Sequence, residues 1–315
     1  ILAVEEAWTK ACLGEQRNLL FGRGTRFRQA RAAVIAGTNF GSLGHIPFDK
    51  TPDLYSSSKF RHNALAAPIA IRFGLGGGDF SLCASSATGG EAIWLAANLI
   101  QMNLIDVAVV VCSELTNDFS NELANSMGVK SASGTERPLS AQRDGMRTVE
   151  SAVALILESE EHAKQRNFQP MARWLSGSVK NECYHLLAPD ESMNALEEAF
   201  LDTLKAIGLE SSQIDWISLH ATGTKIWDPL EVGLFKKLFP KLMPHLSAFK
   251  RTFGHGRSTA CLMAAAMIAE GLKNNQTPVL PAEIDPLFKL DLSLIQHNPP
   301  KLAMHWSAGM GGTMV

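Results

Sequence analysis

The sequence lacks the features that mark several large classes of protein. Its five cysteines are odd in number and scattered, without the spacing of metal ligands or of a disulfide framework. It has no uninterrupted apolar run of about 18 residues, which a membrane-spanning helix requires. We therefore expect buried free thiols, no metal ion and no membrane partner.

Clustered positive charge is also absent. The 29 basic residues are matched by 31 acidic residues, the formal net charge is −2, and no long basic run occurs. Nucleic-acid-binding domains carry a strongly basic face, so we expect no nucleic-acid partner. The first residues, Ile1–Glu6, lack the charged front and the cleavage site of a signal peptide. A cytoplasmic location is the resulting expectation.

The chain is rich in apolar segments that alternate with helical patterns. A strand at Phe80–Ala84 leads into a helix at Gly90–Met102, which gives way to the continuous apolar strand Asp106–Cys112. Further along, the strand Asp215–Leu219 leads through a polar turn into the helix Pro229–Phe239. Strand, turn and helix thus recur in one order, which predicts an internally duplicated α/β fold.

Other segments carry weaker patterns. We expect an irregular cap over the site at Asn117–Thr135, a strand at Met171–Val179 and an amphipathic helix at Met193–Ile207. A helix is also expected at Lys59–Phe73, ending at a glycine-rich turn.

The stretch Ser81–Ile93 joins a strand to a helix through a cluster of small residues. Small neighbours let a substrate reach one presented side chain, and the start of the helix offers unpaired N–H groups and a positive dipole end. The same residues would also suit close packing of a helix on a sheet. The stretch alone leaves both interpretations open.

Reactive side chains follow four predicted strands. They are Cys83 or Ser86 in the turn just described, His220, Lys250 with His255, and the glycine-rich end of the chain. Because sites in open α/β sheets gather at the carboxyl ends of strands, we expect these groups to converge.

These motifs, in this order, resemble the β-ketoacyl synthases, the thiolase-fold condensing enzymes of fatty-acid and polyketide synthesis. The segment His220-Ala-Thr-Gly-Thr, followed by Asp228 and Glu231, is similar to the family's His-Gly-Thr-Ser-Thr motif with its later acids. Lys250 and His255, five residues apart, resemble its lysine and second histidine. The end of the chain, Gly-Met-Gly-Gly-Thr, resembles its gating loop Gly-Phe-Gly-Gly-Thr.

The resemblance implies a thiolase fold with two similar βαβαβαββ halves, at residues 1–158 and 159–315, in a five-layer α-β-α-β-α core. It implies acyl carrier protein as partner, and a homodimer or a heterodimer with another ketosynthase. The phosphopantetheine arm of the carrier would bring the substrate, and no further cofactor is expected. The implied reaction is acyl transfer followed by decarboxylative Claisen condensation.

The resemblance also implies roles for individual residues. His220 and His255 would assist decarboxylation of a malonyl thioester and hold the oxyanion, while Lys250 would orient or polarise that pair. Backbone donors would come from the gating loop. The remaining substrate-binding and oxyanion positions are Thr222, Thr224, Gly309, Met310, Gly311 and Gly312.

The nucleophile position departs from the family, which has Cys, a small residue, Ser or Thr, and Gly. Ser86-Ala-Thr-Gly fits that pattern without a gap, whereas placing Cys83 there would need three extra residues inside the helix. We predict that Ser86 occupies the nucleophile position, with Cys83 as the alternative.

A serine changes what the site can do. A thiol begins near a pKa of about 8.5, and a helix terminus can bring it close to neutrality, but a hydroxyl stays protonated and needs a base. His220 or His255 would then be that base, in an acyltransferase that makes an ester with Ser86. Alternatively the chain is a silent partner like a chain-length factor, which pairs with an active ketosynthase and shapes the acyl tunnel. An engineered Cys-to-Ser change is a third possibility.

Overall fold

The computed structural model describes residues 1–13, 30–41, 56, 61–278, 283–295 and 298–315. The first two residues of the helix expected at Lys59–Phe73 lie outside these ranges, and the α-helix found there begins only at Ala66. The strands are β1 Ala32–Gly37, β2 Asp79–Leu82, β3 Val107–Glu114, β4 Ser151–Glu158, β5 Lys180–Asn181, β6 Trp216–Ser218, β7 His245–Ser247, β8 Ala303–His305 and β9 Thr313–Met314. The α-helices are α1 Leu2–Lys10, α2 Ala66–Phe73, α3 Thr88–Gln101, α4 Asp118–Ser126, α5 Glu160–Gln165, α6 Asn194–Lys205, α7 Trp227–Leu238, α8 Lys250–Phe253 and α9 Ala260–Asn274.

The first sheet has the strand order β2-β1-β3-β4. β1 pairs in parallel with β2 and with β3, so that Ala36 lies opposite Ser81 on one side and Val111 on the other. β4 runs antiparallel to β3. β1 is buried along its whole length. It is the central strand around which the residues of the predicted βαβ unit assemble.

The second sheet repeats this plan with the order β7-β6-β8, all parallel. β6 takes the central place of β1, and Trp216 lies opposite His245 and Ala303. A helix follows the central strand in each sheet, α2 after β1 and α7 after β6, and another follows its first neighbour, α3 after β2 and α9 after β7. The expected duplication is therefore present. The boundary between residues 158 and 159 stays a prediction.

The two sheets and their helices form five layers. Val34 and Val109 on one face of the first sheet pack against Trp8 of α1 and Ile69 of α2. On its other face, Ile35 packs against α3 and Leu262 of α9. α6 and α7 cover the second sheet from outside. The alternate residues of β1 thus serve two cores, because neighbouring side chains of a strand point to opposite faces.

α3 and the residues that begin α9 are in close contact at Gly89. A Cβ atom at Gly89 would lie 2.8 Å from the carbonyl oxygen of Ser258 and 3.1 Å from the amide nitrogen of Leu262. Only a residue without a side chain permits this contact. The carboxyl ends of β2 and β7, which precede these helices, are brought together as a result.

Two expectations about local structure are wrong. Asn117–Thr135 is not irregular throughout, since α4 begins after Asn117, whose side chain accepts the Ser120 amide at 2.8 Å while the Ser120 hydroxyl accepts the Asn117 amide at 3.1 Å. Residues 171–179 form no strand, and the pairing in that region is between β5 and β9. A strand needs hydrogen-bonding neighbours, which the described residues do not provide for 171–179. Among the helices within the described ranges, none is long and apolar enough to cross a membrane.

Candidate active site

Ser86 lies in a tight turn between β2 and α3. Ser85 adopts a positive φ of 52°, which reverses the chain after the strand. The Thr88 hydroxyl then donates to the Ser85 carbonyl at 2.7 Å and accepts the Ala84 amide at 2.8 Å. These bonds hold the turn, so Ser86 is presented just ahead of the first residues of α3, where unpaired amides and the helix dipole favour negative charge.

Ser86 faces a histidine from the other half of the chain. Its hydroxyl oxygen is 3.4 Å from Nε2 of His255. The Cys83 thiol is exposed instead and lies 3.6 Å from the backbone oxygen of Asn39. The geometry therefore puts the hydroxyl of Ser86, rather than the Cys83 thiol, against the imidazole.

The orientation of His255 fixes which of its nitrogens carries the proton. The Arg257 amide donates to Nδ1 at 3.0 Å, so in the neutral ring the proton is on Nε2. Burial, and then the charge of Lys250, lower the pKa of His255 well below its usual value. His255 is therefore a neutral hydrogen-bond donor towards Ser86.

His220 is held in the same tautomer as His255, with its proton on Nε2. Its Nδ1 lies 3.4 Å from Nζ of Lys250 and 3.4 Å from the Ala308 amide, both of which are donors. Burial, followed by the charge of Lys250, lowers the pKa of His220 well below the usual range. The His220 and His255 rings are perpendicular, with centroids 5.9 Å apart. The site thus contains two neutral imidazoles that each keep a proton on Nε2.

This arrangement departs from the expectation that a histidine acts as base for Ser86. A base needs a free lone pair on the nitrogen that faces the hydroxyl. Nε2 of His255 carries a hydrogen, and its lone pair on Nδ1 is used by the Arg257 amide. The pair instead offers two Nε2–H donors, an arrangement that suits negative charge on an oxygen atom.

Buried carboxylates hold the His220 turn in place. Glu231 accepts the amides of His220 at 2.5 Å and Ala221 at 2.7 Å, and Asp228 accepts the amide of Gly223 at 3.0 Å. Desolvation raises the pKa of Glu231 to about 7 and that of Asp228 to about 6. These are the two acids that follow the histidine motif in the sequence.

Lys250 supplies a positive charge that compensates the buried carboxylates of Glu231 and Asp228. Its ammonium group donates to the His220 carbonyl oxygen as well as lying beside the ring. Burial lowers the pKa of Lys250, while the charges of Glu231 and Glu136 act in the opposite direction. Lys250 therefore orients His220 and compensates the carboxylates beneath it.

Thr222 and Thr224 lie on the same turn. Their hydroxyl oxygens are 2.9 Å apart, and that of Thr224 also accepts the Trp227 amide at 3.1 Å, at the start of α7. Within the described residues, no group of three or more His, Cys, Asp or Glu side chains is placed to hold a metal ion.

The glycine-rich loop packs directly on the Ser86 turn. A Cβ atom at Gly309 would lie 2.2 Å from the carbonyl oxygen of Ala84. The amides of Gly309, Gly311 and Gly312 donate to the carbonyls of Thr313, Leu186 and Gly309, at 2.8, 2.9 and 3.1 Å. The three glycines are therefore not free oxyanion donors, contrary to expectation.

Met310 is the exception in this loop. Its amide has no acceptor among the described residues, and the residue is 40% exposed. The loop thus leaves the Met310 amide available as a donor.

Three ionisable residues near the site carry no motif in the sequence: Glu136 and Arg257, which are buried, and His305, which is partly buried. Glu136 accepts the Arg147 amide, and desolvation raises its pKa to about 8. His305 donates from Nδ1 to the Ser218 carbonyl at 3.0 Å, and desolvation lowers its pKa to about 3. Arg257 follows His255 by two residues and is only 7% exposed. The sequence gives one sign that Arg257 is unusual: it is the only charged residue in the small-residue stretch Gly256–Thr259.

Comparison with known families gives two adjacent matches. A model described as "Beta-ketoacyl synthase, N-terminal domain" matches residues 1–163, and one described as "Beta-ketoacyl synthase, C-terminal domain" matches residues 172–281. A relative from Saccharomyces cerevisiae, named 3-oxoacyl-[acyl-carrier-protein] synthase homolog, is 29% identical over 276 residues, which cover 82% of this chain and 62% of the relative. A relative from Schizosaccharomyces pombe, named as mitochondrial, is 30% identical over 283 residues, with coverages of 81% and 64%. The chain thus spans less than two thirds of the length of these curated relatives.

Solved structures show a similar overall fold. A type II polyketide synthase acyl-carrier protein in complex with its ketosynthase gives a TM-score of 0.83 at 21% identity, over 99% of this chain and 81% of that one. The ishigamide ketosynthase/chain length factor gives 0.79 at 20% identity, over 91% and 74%. At these identities the likeness concerns the fold.

Proposed function

Since the chain belongs to the β-ketoacyl synthase family and has its thiolase fold, we propose that it acts on acyl groups carried by acyl carrier protein in fatty-acid or polyketide biosynthesis. The proposed reaction is transfer of an acyl group to Ser86, followed by decarboxylative Claisen condensation. The observation that carries the proposal is the 3.4 Å contact between the Ser86 hydroxyl and Nε2 of His255, beside a second neutral histidine.

The histidine pair suits the decarboxylation step. When a malonyl thioester loses CO₂, the electron pair of the broken C–C bond moves onto the thioester carbonyl oxygen. The Nε2–H groups of His220 and His255 would donate to that oxygen, and both rings are buried and held by bonds at Nδ1. Preorganised donors of this kind contribute about 3 kcal/mol or more each to transition-state stabilisation.

Acylation of Ser86 is the slower step in this proposal. Its hydroxyl proton must leave as the ester forms, and the neighbouring imidazole nitrogen already carries a hydrogen. The departing thiolate of the phosphopantetheine arm would take that proton, and the free amide of Met310 would donate to the tetrahedral oxyanion. No cofactor beyond that arm is proposed.

A second candidate function follows from the hydroxyl group that Ser86 places where the family has a thiol. Without a thiol beside the histidine pair, the chain would serve as a silent subunit like a chain-length factor, which shapes the acyl tunnel of an active ketosynthase.

Among the described strands β2 is at the edge of the first sheet, with Asp79 and Ser81 exposed. Such an edge can pair with another chain, so we propose a homodimer or a heterodimer with a ketosynthase. A cytoplasmic location is proposed as well, to be tested by cell fractionation.

Intact-mass spectrometry tests these proposals. The parent protein, Ser86→Ala and Cys83→Ala are each incubated with an acyl chain on acyl carrier protein. We expect an adduct of one acyl group on the parent and on Cys83→Ala, and none on Ser86→Ala. An adduct lost only in Cys83→Ala would overturn the assignment of Ser86. Absence of any adduct, with co-purification of a second ketosynthase, would favour the silent subunit.

A further inference from the structure

Arg257 carries a buried guanidinium group that no described residue accepts a hydrogen bond from. The residue is 7% exposed, and neither terminal nitrogen has an acceptor among the residues that the structure describes. The guanidinium carbon lies over the ring of Phe40, 5.1 Å from its centroid. An aromatic face attracts a cation but satisfies none of its N–H groups.

The guanidinium group lies over the carboxyl ends of the strands of the first sheet, the same end of the sheet at which Ser86 lies. Phe40 follows the carboxyl end of β1, and Ser86 follows that of β2, the neighbouring strand. Adjacent strands are about 4.8 Å apart, so the side chain reaches over an end next to the Ser86 turn. Its backbone amide also binds His255, which contacts Ser86. The cation is therefore part of the site.

No acidic side chain in the described part of the chain forms an ion pair with Arg257. Glu114, at the end of β3, acts on it through its charge, but one of its oxygens accepts the Asn39 amide at 2.6 Å. Burial of a cation with unsatisfied N–H groups is unfavourable unless an anion completes the site. The planar fork of a guanidinium matches a carboxylate, which can accept two parallel bonds from it.

We propose that Arg257 binds a carboxylate at the far end of the acyl group held at Ser86. The substrate class is then an acyl thioester with a second carboxyl group, the half-thioester of a dicarboxylic acid. This inference rests on the proposed function, because it assumes that the site receives an acyl group.

The carboxylate of a malonyl unit is a poorer occupant. Decarboxylation moves its negative charge onto the thioester oxygen, so a cation bound to the carboxylate would stabilise the ground state and oppose the reaction. A carboxylate that stays unchanged through the reaction has no such conflict. It would keep Arg257 neutralised while the thioester end reacts at the histidines.

Calorimetric binding to Ser86→Ala protein tests the inference without acyl transfer. The ligands are the pantetheine thioesters of adipic, hexanoic and malonic acid; the first two differ by one carboxyl group. We expect the adipyl thioester to bind at least tenfold more tightly than the other two. Arg257→Leu in this background should remove the preference for adipyl over hexanoyl, and Arg257→Lys should retain part of it.

The control is Arg173→Leu, which removes an exposed arginine that pairs with Glu160 on the surface and should leave the preference unchanged. Circular dichroism establishes that each variant is folded, and Arg257→Lys gives the comparison if the leucine variant is not. Equal binding of adipyl and hexanoyl thioesters, a preference that survives Arg257→Leu, or tightest binding of malonyl would overturn the inference. Failure of Ser86 to accept acyl groups would instead overturn the proposed function, since these measurements use no acyl transfer.

Discussion

The backbone amide of Arg257 donates to Nδ1 of His255 at 3.0 Å, and this bond sets the direction of hydrogen bonding across the site. It leaves Nε2–H, rather than a lone pair, towards Ser86. Lys250 and the Ala308 amide do the same for His220. Both rings therefore present N–H groups of a kind that can stabilise negative charge on an oxygen atom, and no histidine lone pair faces the hydroxyl of Ser86.

A thiol in place of this hydroxyl should accept acyl groups faster. Ser86→Cys places a group with a pKa of about 8.5 near the amino terminus of α3, where the dipole lowers it further. We expect the rate of adduct formation to rise by roughly tenfold or more, because thiolate is accessible near neutral pH. Intact-mass time courses in a Cys83→Ala background measure the rate. An unchanged rate would mean that the hydroxyl proton does not limit acylation.

Lys250→Met should damage both stability and decarboxylation. The change leaves the carboxylates of Glu231 and Asp228 without their buried counter-charge and frees the ring of His220. Removing one member of a buried charge cluster costs about 3–5 kcal/mol. Urea unfolding and CO₂ release from a malonyl thioester measure the two effects.

The matched control is Lys236→Met, which removes only a 3.1 Å bond to the Phe288 carbonyl oxygen. It should cost about 1 kcal/mol or less and leave CO₂ release unchanged. Equal effects of the two substitutions would contradict the role given to Lys250.

Glu136→Gln should change how stability depends on pH. Desolvation raises the pKa of Glu136 from 4.5 to about 8, so between these values the folded protein keeps a proton that the unfolded chain has released. Stability from this group is therefore lost as pH rises from about 4.5 to 8. The glutamine variant lacks this loss, so its free energy of unfolding relative to the parent should rise by a few kcal/mol, in order of magnitude, between pH 5 and pH 8.

Urea unfolding of both proteins at several pH values tests this. Measurements at pH 5, where the two should differ least, are the internal reference. A difference that stays constant from pH 5 to pH 8 would show that Glu136 titrates normally in the folded protein.

Gly309→Ala should uncouple the glycine-rich loop from the Ser86 turn. The added Cβ atom would meet the Ala84 carbonyl oxygen at 2.2 Å, so the loop or the turn must move. A displacement of about 1 Å near reacting groups can cost on the order of a hundredfold in rate, and we expect a loss of that size in acyl-adduct formation.

Gly233→Ala is the control for this substitution. Gly233 lies within α7 with no atom near the position of an added Cβ, so alanine should stabilise the protein by about 0.5–1 kcal/mol. Thermal unfolding compares the two variants. Normal acylation of Gly309→Ala would show that the close packing is not required.

The strands were predictable where burial alone determines them. The apolar run at Asp106–Cys112 became β3 because both of its faces are covered by helices. Met171–Val179 was also expected to be a strand, but its local pattern does not show whether hydrogen-bonding neighbours exist. The helix after Asn117 was missed because its capping box uses Ser120 in place of the usual acidic or amide residue.

The site was predictable as a set of positions and less so as chemistry. The spacing of the motif favoured Ser86 over Cys83 as the residue at the nucleophile position, and the structure puts the Ser86 hydroxyl against His255. The proton position on that ring follows from a backbone amide, for which sequence offers no signal. The surroundings of Arg257 are equally hidden, since Phe40 is more than two hundred residues away along the chain.

The close approach of α3 and α9 at Gly89 has a consequence for synthesis of the protein. Ser86 and His255 are 169 positions apart, so a ribosome has made the serine turn long before either histidine exists. Contacts this distant in sequence form late in folding, because a long loop must close first. The proposed decarboxylation needs both histidines, so the appearance of CO₂ release from a malonyl thioester during refolding would time the moment at which the two helices meet.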